Sequence, residues 1–215
     1  LPITMAIALA FAVALNKGSK HLNAFFRAVF YAPVVASVVA VSVVWRYILQ
    51  KDGLLNSLLA VFGIAGPDWL HDTRYALPAL MAMTIWRNMG TLMIIFLAGL
   101  QGISAELYEA ASLDGASAWQ KFRYITLPAL RPTFNYVVIF GLIGSFQVFD
   151  QVFILTSGGP ARSTETIVYR IYTEAFGNGK LGYASALSYV LLIMTLIVGL
   201  IQLYTNNKHE KEEIA

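Results

Sequence analysis

Four stretches of this chain, residues 28–50, 76–100, 134–156 and 183–204, are rich in Val, Ile, Leu, Phe and Ala and nearly free of charge. Each is long enough to cross a bilayer, which takes about 20 apolar residues. In hydrocarbon every backbone amide must find its partner inside the protein, so only helices and closed barrels are economical. None of the four shows the period-2 alternation of a barrel strand, so the expected crossings are helices. A fifth apolar run, residues 1–15, "LPITMAIALAFAVAL", spans only ~22 Å as a helix against an apolar slab of ~30 Å. It has no basic segment before it and no small-residue cleavage site before Lys17, which argues against a secretion signal. We read it as a crossing cut off at its N-terminal end, and the chain is expected to be a fragment.

Composition agrees. The chain is 58% hydrophobic and 13% charged, whereas a soluble domain carries about 45–50% apolar and roughly 25% charged residues. Too little polar surface remains to coat a water-soluble body. The net charge of +3 is too small to suggest a nucleic-acid partner. The absence of cysteine excludes disulfides, thiolate metal sites and a cysteine nucleophile.

Basic residues in the connecting segments set the expected orientation. Lys17, Lys20 and Arg27 fall in 16–27; Lys121, Arg123 and Arg131 in 101–133; Lys208 and Lys211 in the tail, 205–215. These three segments are expected in the cytoplasm. On the other side lie 51–75, with Lys51 and Arg74 against Asp52, Asp68 and Asp72, and 157–182, with Arg162, Arg170 and Lys180. Within these outer segments, "GLLNSLLAVFG" (53–63) reads either as a short interfacial helix or as a simple connector. The segment after the Gly-Gly-Pro turn reads likewise as a helix from Ser163 to Phe176 or as a connector.

One polar insert interrupts this pattern: "EAASLDGASAWQKFRYITLP", residues 109–128. Residues 105–113 are strong helix formers, and Gly115 can take the positive φ that ends a helix. Ser117 is placed to cap a second short helix through Tyr124, which Pro128 is expected to end, with Pro132 starting the next crossing. Ala110, Ala111, Ala116 and Ala118 allow close approach, while Leu107, Leu113, Trp119 and Phe122 offer apolar knobs and Glu109 a charge. By itself this describes either a docking plug or a capped surface helix pair.

The spacing Glu109-Ala110-Ala111, three residues, Gly115, nine residues, Ile125-x-Leu127-Pro128 resembles the EAA loop of binding-protein-dependent ABC importer permeases, matching at every defining position. "FYAPVVASVVAVSVVWRYIL", "FDQVFILTSGGP" and "YRIYTEAFGNGKLGYASALSYVL" resemble further helices of that family, the last two its carbohydrate branch of maltose-type and glycerol-3-phosphate-type permeases. The resemblance covers nearly the whole chain, apart from a missing first helix. It implies an all-α polytopic membrane protein, an ABC importer type I permease helix bundle, whose segment 105–128 is the cytoplasmic coupling loop. It further implies a second homologous permease, two ABC ATPase subunits that carry ATP and Mg, an extracytoplasmic solute-binding protein and a sugar-like solute. The chain has no Walker A pattern of its own, so nucleotide is expected on the partner, and no cofactor or metal on this chain.

Polar groups within the crossings are candidates for the solute pathway. Thr84, Arg87, Asn88 and Thr91 lie at offsets of 3, 4 and 7 and share one helical face. Ser145, Gln147, Asp150 and Gln151 come from the next crossing, and Trp86, Phe146 and Phe149 offer rings to a sugar. By resemblance to maltose-type permeases the sugar-facing positions are Thr84, Arg87, Asn88, Thr91, Gly141, Gly144, Ser145 and Val148, although residue types differ and specificity does not carry over. Alternatively Arg87 pairs with Asp150 to join two helices, and Gly141 and Gly144 serve close helix packing. A secondary transporter would show ionisable residues deep in several crossings or two related halves. An embedded enzyme would need a motif absent here, and His21, His71 and His209 all lie in loops or the tail.

Overall fold

The computed structural model describes the backbone of residues 1–16 and 20–214, and the side chains of 1–16, 23–202 and 204. Of the groups weighed above, Lys17, Lys20, His21, Lys208, His209 and Lys211 lie outside the described residues or side chains. Among the described residues every regular element is helical. Three helical stretches are long and apolar enough to cross a membrane: Ala76–Gln101, Arg131–Leu155 and Leu181–Gln202. The shorter apolar helix α1, Pro2–Asn16, precedes them, and Asn23–Val35 with Val38–Val61 pass the same test only when taken together.

The run 28–50, expected as one crossing, is therefore divided. Helix α2 (Lys20–Val35) stops, and α3 (Val38–Leu49) restarts after Ser37, whose φ −54 and ψ 128 are not helical. Apolar composition is continuous across this break, so hydropathy carried no sign of it. Short α4 (Leu54–Val61) follows, then the long α5 (Ala76–Gln101).

The chain forms two compact units. The first comprises Leu1–Pro33 and Asn88–Gly141. Its core joins Ala8, Ala12 and Leu15 of α1 to Met93, Phe96, Leu97 and Leu100 of α5, with Leu130 and Val137. Ala8 and Ala12 stand one turn apart and are both fully buried, so the α1 backbone is closely approached. Gly90 serves the same end, because a β-carbon there would collide with the Phe30 carbonyl. Packing of this kind matters more in lipid than in water, where the hydrophobic effect would itself drive helices together. Buried Asn23 donates to the Leu15 carbonyl at 2.5 Å and so satisfies an unpaired acceptor at the end of α1.

The second unit comprises Val34–Arg87 and Leu142–Ala215. Val41 and Leu49 of α3 pack with Ala79, Leu80 and Met83 of α5, Leu70, and Val152 and Leu155 of the later helices. Segment 53–63 is not a plain connector. Asn56 of α4 donates to the carbonyls of Lys51 and Pro67, both at 2.9 Å, and accepts from Trp69 Nε1 at 2.7 Å. The helix thus turns its polar hub inward and leaves Leu54, Leu58 and Val61 exposed.

Candidate functional site

The insert folds as an elbow within the first unit. Ser104 caps α6 (Ala105–Leu113) by accepting from the Glu106 amide at 3.3 Å. Gly115 turns the corner at φ +76, and the space around an added β-carbon is empty, so the backbone conformation alone demands glycine. Ser117 then opens α7 (Ala118–Lys121) with a reciprocal cap: its amide donates to Gln120 Oε1 at 2.7 Å, and the Gln120 amide donates to its Oγ at 3.3 Å. Such a cap is worth about 1 kcal/mol.

Pro128 does not end the second arm. After α7 the chain widens into a π-helical turn, Phe122–Thr126, and continues into α8 (Leu127–Ala129) with Pro128 in the first turn. In a regular α-helix the proline ring would meet the carbonyl four residues back. The wider turn relieves that collision, and the Leu127 amide donates to the Phe122 carbonyl instead. The arm stops at buried Leu130, and α9 (Arg131–Phe146) begins with Pro132 in its first turn.

Two side-chain ties join the arms. The hydroxyls of Tyr108 and Thr126 share a hydrogen bond of 2.8 Å. Lys121 Nζ donates to Ser112 Oγ at 2.6 Å, and that hydroxyl donates to the Tyr108 carbonyl at 2.6 Å. Neither tie was read from the sequence, since a pair 18 residues apart leaves no periodic signal. The residues expected to dock are mostly presented outward. Glu109, Ala110, Gly115 and Pro128 are exposed, while Ala111, Ile125 and Leu127 are half-buried. Leu113 is 90% exposed and Trp119 68%, so the elbow presents two large apolar side chains outward.

The pathway candidates lie on α5 and on α9 and its continuation, α10 (Asp150–Leu155). On α5, Thr84 donates its hydroxyl to the Leu80 carbonyl at 2.8 Å, Asn88 is exposed, and Thr91 is half-buried. The Arg87 Nε is buried without a hydrogen-bond partner, and among the described residues no ion pair joins Arg87 to Asp150. The adjacent Trp86 ring packs on Trp45 at 5.5 Å. Gly144, Ser145 and Gln147 are exposed; Gly141, Val148 and Asp150 are half-buried, with Val148 against the second core and Gln151 wholly buried. Gly141 does meet a neighbour, the Leu1 side chain, whereas nothing approaches Gly144.

The segment after α10 holds most of the ion pairs among the described residues. Helix α11 spans Ile167–Tyr172 and is capped by Thr166, not by Ser163 as expected. Thr164 donates to the Gly159 carbonyl at 2.7 Å and Glu165 pairs with Arg170 at 3.2 Å, which leaves the capping position to Thr166. A second π-helical turn, Thr173–Gly177, precedes α12 (Leu181–Ile214). Arg170 also reaches Glu174 at 2.8 Å, and Asn178 donates to Glu174 at 3.0 Å. The Asn178 hydrogen bond, outweighing burial and helped by the Arg170 and Lys180 charges, holds the Glu174 carboxyl below its ordinary range. The Glu165 hydrogen bond and the two carboxylates keep Arg170 above its own.

The pattern described as "Binding-protein-dependent transport system inner membrane component" matches residues 3–209. The chain belongs to this family. It is a non-catalytic permease subunit of an ABC importer, an inner-membrane component. The permease is 35% identical over 209 residues to the lactose transport system permease protein LacF of Rhizobium radiobacter, covering 95% of this chain and 70% of that one. It is 31% identical over 215 residues to the arabinooligosaccharides transport system permease protein AraP of Bacillus subtilis (strain 168), covering 99% and 69%. A solved bacterial ABC transporter involved in import of the acidic polysaccharide alginate superposes with a TM-score of 0.86 at 24% identity, over 94% of the permease and 72% of that chain. That likeness establishes the shared all-helical fold. A second structure, of the bacterial alginate ABC transporter in complex with a periplasmic protein bound to an alginate pentasaccharide, superposes at 0.83 with 25% identity, over 92% and 70%.

Proposed function

We propose that this permease forms half of the membrane pathway for a sugar or oligosaccharide and that its elbow, residues 105–128, seats in a cytoplasmic ATPase. A second homologous permease supplies the other half, two ATPase subunits hold ATP and Mg, and an extracytoplasmic solute-binding protein delivers the solute. The C-terminus lies in the cytoplasm with the elbow. The observation that carries this reading is the elbow itself: a capped helix pair turned by Gly115 that leaves Leu113 and Trp119 bare. The sugar is supported by relatives named for lactose and arabinooligosaccharides. Closure of the ATPase around nucleotide displaces the elbow, and a stiff helix pair passes that motion to the crossings better than a loose loop would.

On α12 only Ala184 is buried among the described side chains, which leaves the helix to lipid and the partner permease. The residues proposed for the pathway are Thr84, Arg87, Asn88 and Thr91, with Gly141, Gly144, Ser145, Gln147, Val148 and Asp150. The Arg87 Nε, which has no partner among the described residues, is supplied there by water or by solute hydroxyls.

The test is Glu109→Lys in the assembled transporter, reading ATPase co-purification and ATP hydrolysis driven by the solute-binding protein. We expect loss of the ATPase, or at least a tenfold fall in driven hydrolysis. Unchanged driven hydrolysis refutes the coupling role.

A further inference from the structure

We propose that Tyr108 and Thr126 are positioning residues for coupling: their hydroxyl pair locks the two arms of the elbow at one angle. The inference rests on the coupling role given above.

A glycine corner alone is a hinge. A β-carbon at Gly115 would meet no neighbour, and the Gly115 and Ala116 amides hold only the end of the first arm, at Ser112 and Ala111. Something beyond the corner must set the opening. The two ties stand like rungs at increasing distance from it, Ser112–Lys121 near and Tyr108–Thr126 far. The near rung is exposed, and its lysine is free to exchange the contact for water. The far rung is sheltered: Thr126 is buried and Tyr108 half-buried. A hydroxyl pair withdrawn from water is held, because opening it leaves two polar groups unsatisfied.

The π turn is what makes the far rung possible. On the first arm the rung residues are four apart, 108 and 112; on the second they are five apart, 121 and 126. In an α-helix a five-residue step carries a side chain about 140° around the axis, which would turn Thr126 away from the first arm if Lys121 faced it. The π turn over Phe122–Thr126 absorbs the extra residue and brings Thr126 back to the Lys121 side, where its Oγ1 also lies 3.4 Å from the Lys121 carbonyl. The hydrogen bonds then close a circuit. Lys121 donates to Ser112 and Ser112 to the Tyr108 carbonyl; the Tyr108 hydroxyl meets Thr126, which turns back to the Lys121 carbonyl. Single-turn π segments of this kind recur at functional sites, where an inserted residue re-aims a side chain.

The test uses Tyr108→Phe, which removes a hydroxyl, and Thr126→Val, which exchanges one for a methyl, with Thr126→Ser as the variant that keeps it. The chain has no cysteine, so spin labels introduced at exposed Glu106 and Arg123 report the inter-arm distance in the assembled transporter. We expect both variants to keep the ATPase bound and to retain basal hydrolysis. Both should broaden the inter-arm distance distribution and lower driven hydrolysis five- to tenfold. The solute-binding protein is used with the solute it retains on purification. Thr126→Ser should behave as the parent, and the double variant should be no worse than either single one. An unchanged distribution, a broadened one with parental driven hydrolysis, or losses that multiply in the double variant would each overturn the lock. Glu109→Lys run alongside separates the two failures: if it abolishes driven hydrolysis while the hydroxyl variants leave it at the parental level, only the lock fails.

Discussion

The elbow and the 157–180 segment are built alike and held differently. Each is a short helix running with a five-residue π turn and a positive-φ glycine, Gly115 in one and Gly179 in the other. The elbow is fastened by hydroxyls, with Lys121 the one charged participant, and it leaves its large apolar residues uncovered. The other segment is fastened by opposed charges, Arg170 between Glu165 and Glu174, with Lys180 3.9 Å from Glu174. The difference teaches what each can tolerate. Hydroxyl pairs are indifferent to salt and to mild acid, whereas ion pairs weaken with both. A part that must be displaced as a rigid body under every cellular condition is better held by the first kind.

Gly115→Val offers the largest break in this comparison. A β-branched residue at φ +76 is strained by about 1–2 kcal/mol even though space is open. Driven ATP hydrolysis should fall tenfold or more, while Gly179→Ala, at φ +67 and equally uncrowded, should leave hydrolysis within twofold. Equal effects at the two glycines would erase the distinction. Next is Glu174→Gln, which removes the shared partner of Arg170 and Lys180. Amide hydrogen exchange over 167–180 should quicken several-fold, with no change over 105–126. The smallest effect is that of pH. The Glu174 carboxyl is depressed in the folded protein, so its stabilisation is complete above the ordinary glutamate range. It is lost as pH falls through the lower folded value. Exchange over 167–180, taken relative to the rate of an unstructured chain at the same pH, should therefore rise between the ordinary carboxylate range and more acid pH, and rise with added salt at neutral pH. The elbow should show neither trend, and a parallel rise there would show that charge holds it too.

Much of this was readable in the chain. Apolar runs of sufficient length named the helices around 76–100, 134–156 and 183–204, because length and hydropathy are local properties. Ser117 as an N-cap, and a glycine between two helix-forming runs, announced the elbow for the same reason. The break at Ser37 was hidden, since apolar residues continue through it. The start of α11 was misplaced because Thr164 and Glu165 are engaged by Gly159 and Arg170, contacts that outrank their capping tendency. Asn56 carried no signal in the sequence, because its partners, two backbone carbonyls and an indole, come from outside its helix.

The sequence by itself determined that this protein lives in a bilayer, that its crossings are helices, and that one polar insert between them is a capped pair turned at a glycine. Those follow from hydrophobicity, chain length and dihedral preference, each of which a residue carries wherever it is placed. Only the tertiary structure decided which hydroxyls meet across the elbow, how a π turn brings Thr126 round to Tyr108, and that Arg87 and Asp150 form no ion pair. Such pairings depend on angstrom-scale register between segments far apart in the chain, and no local preference encodes that distance.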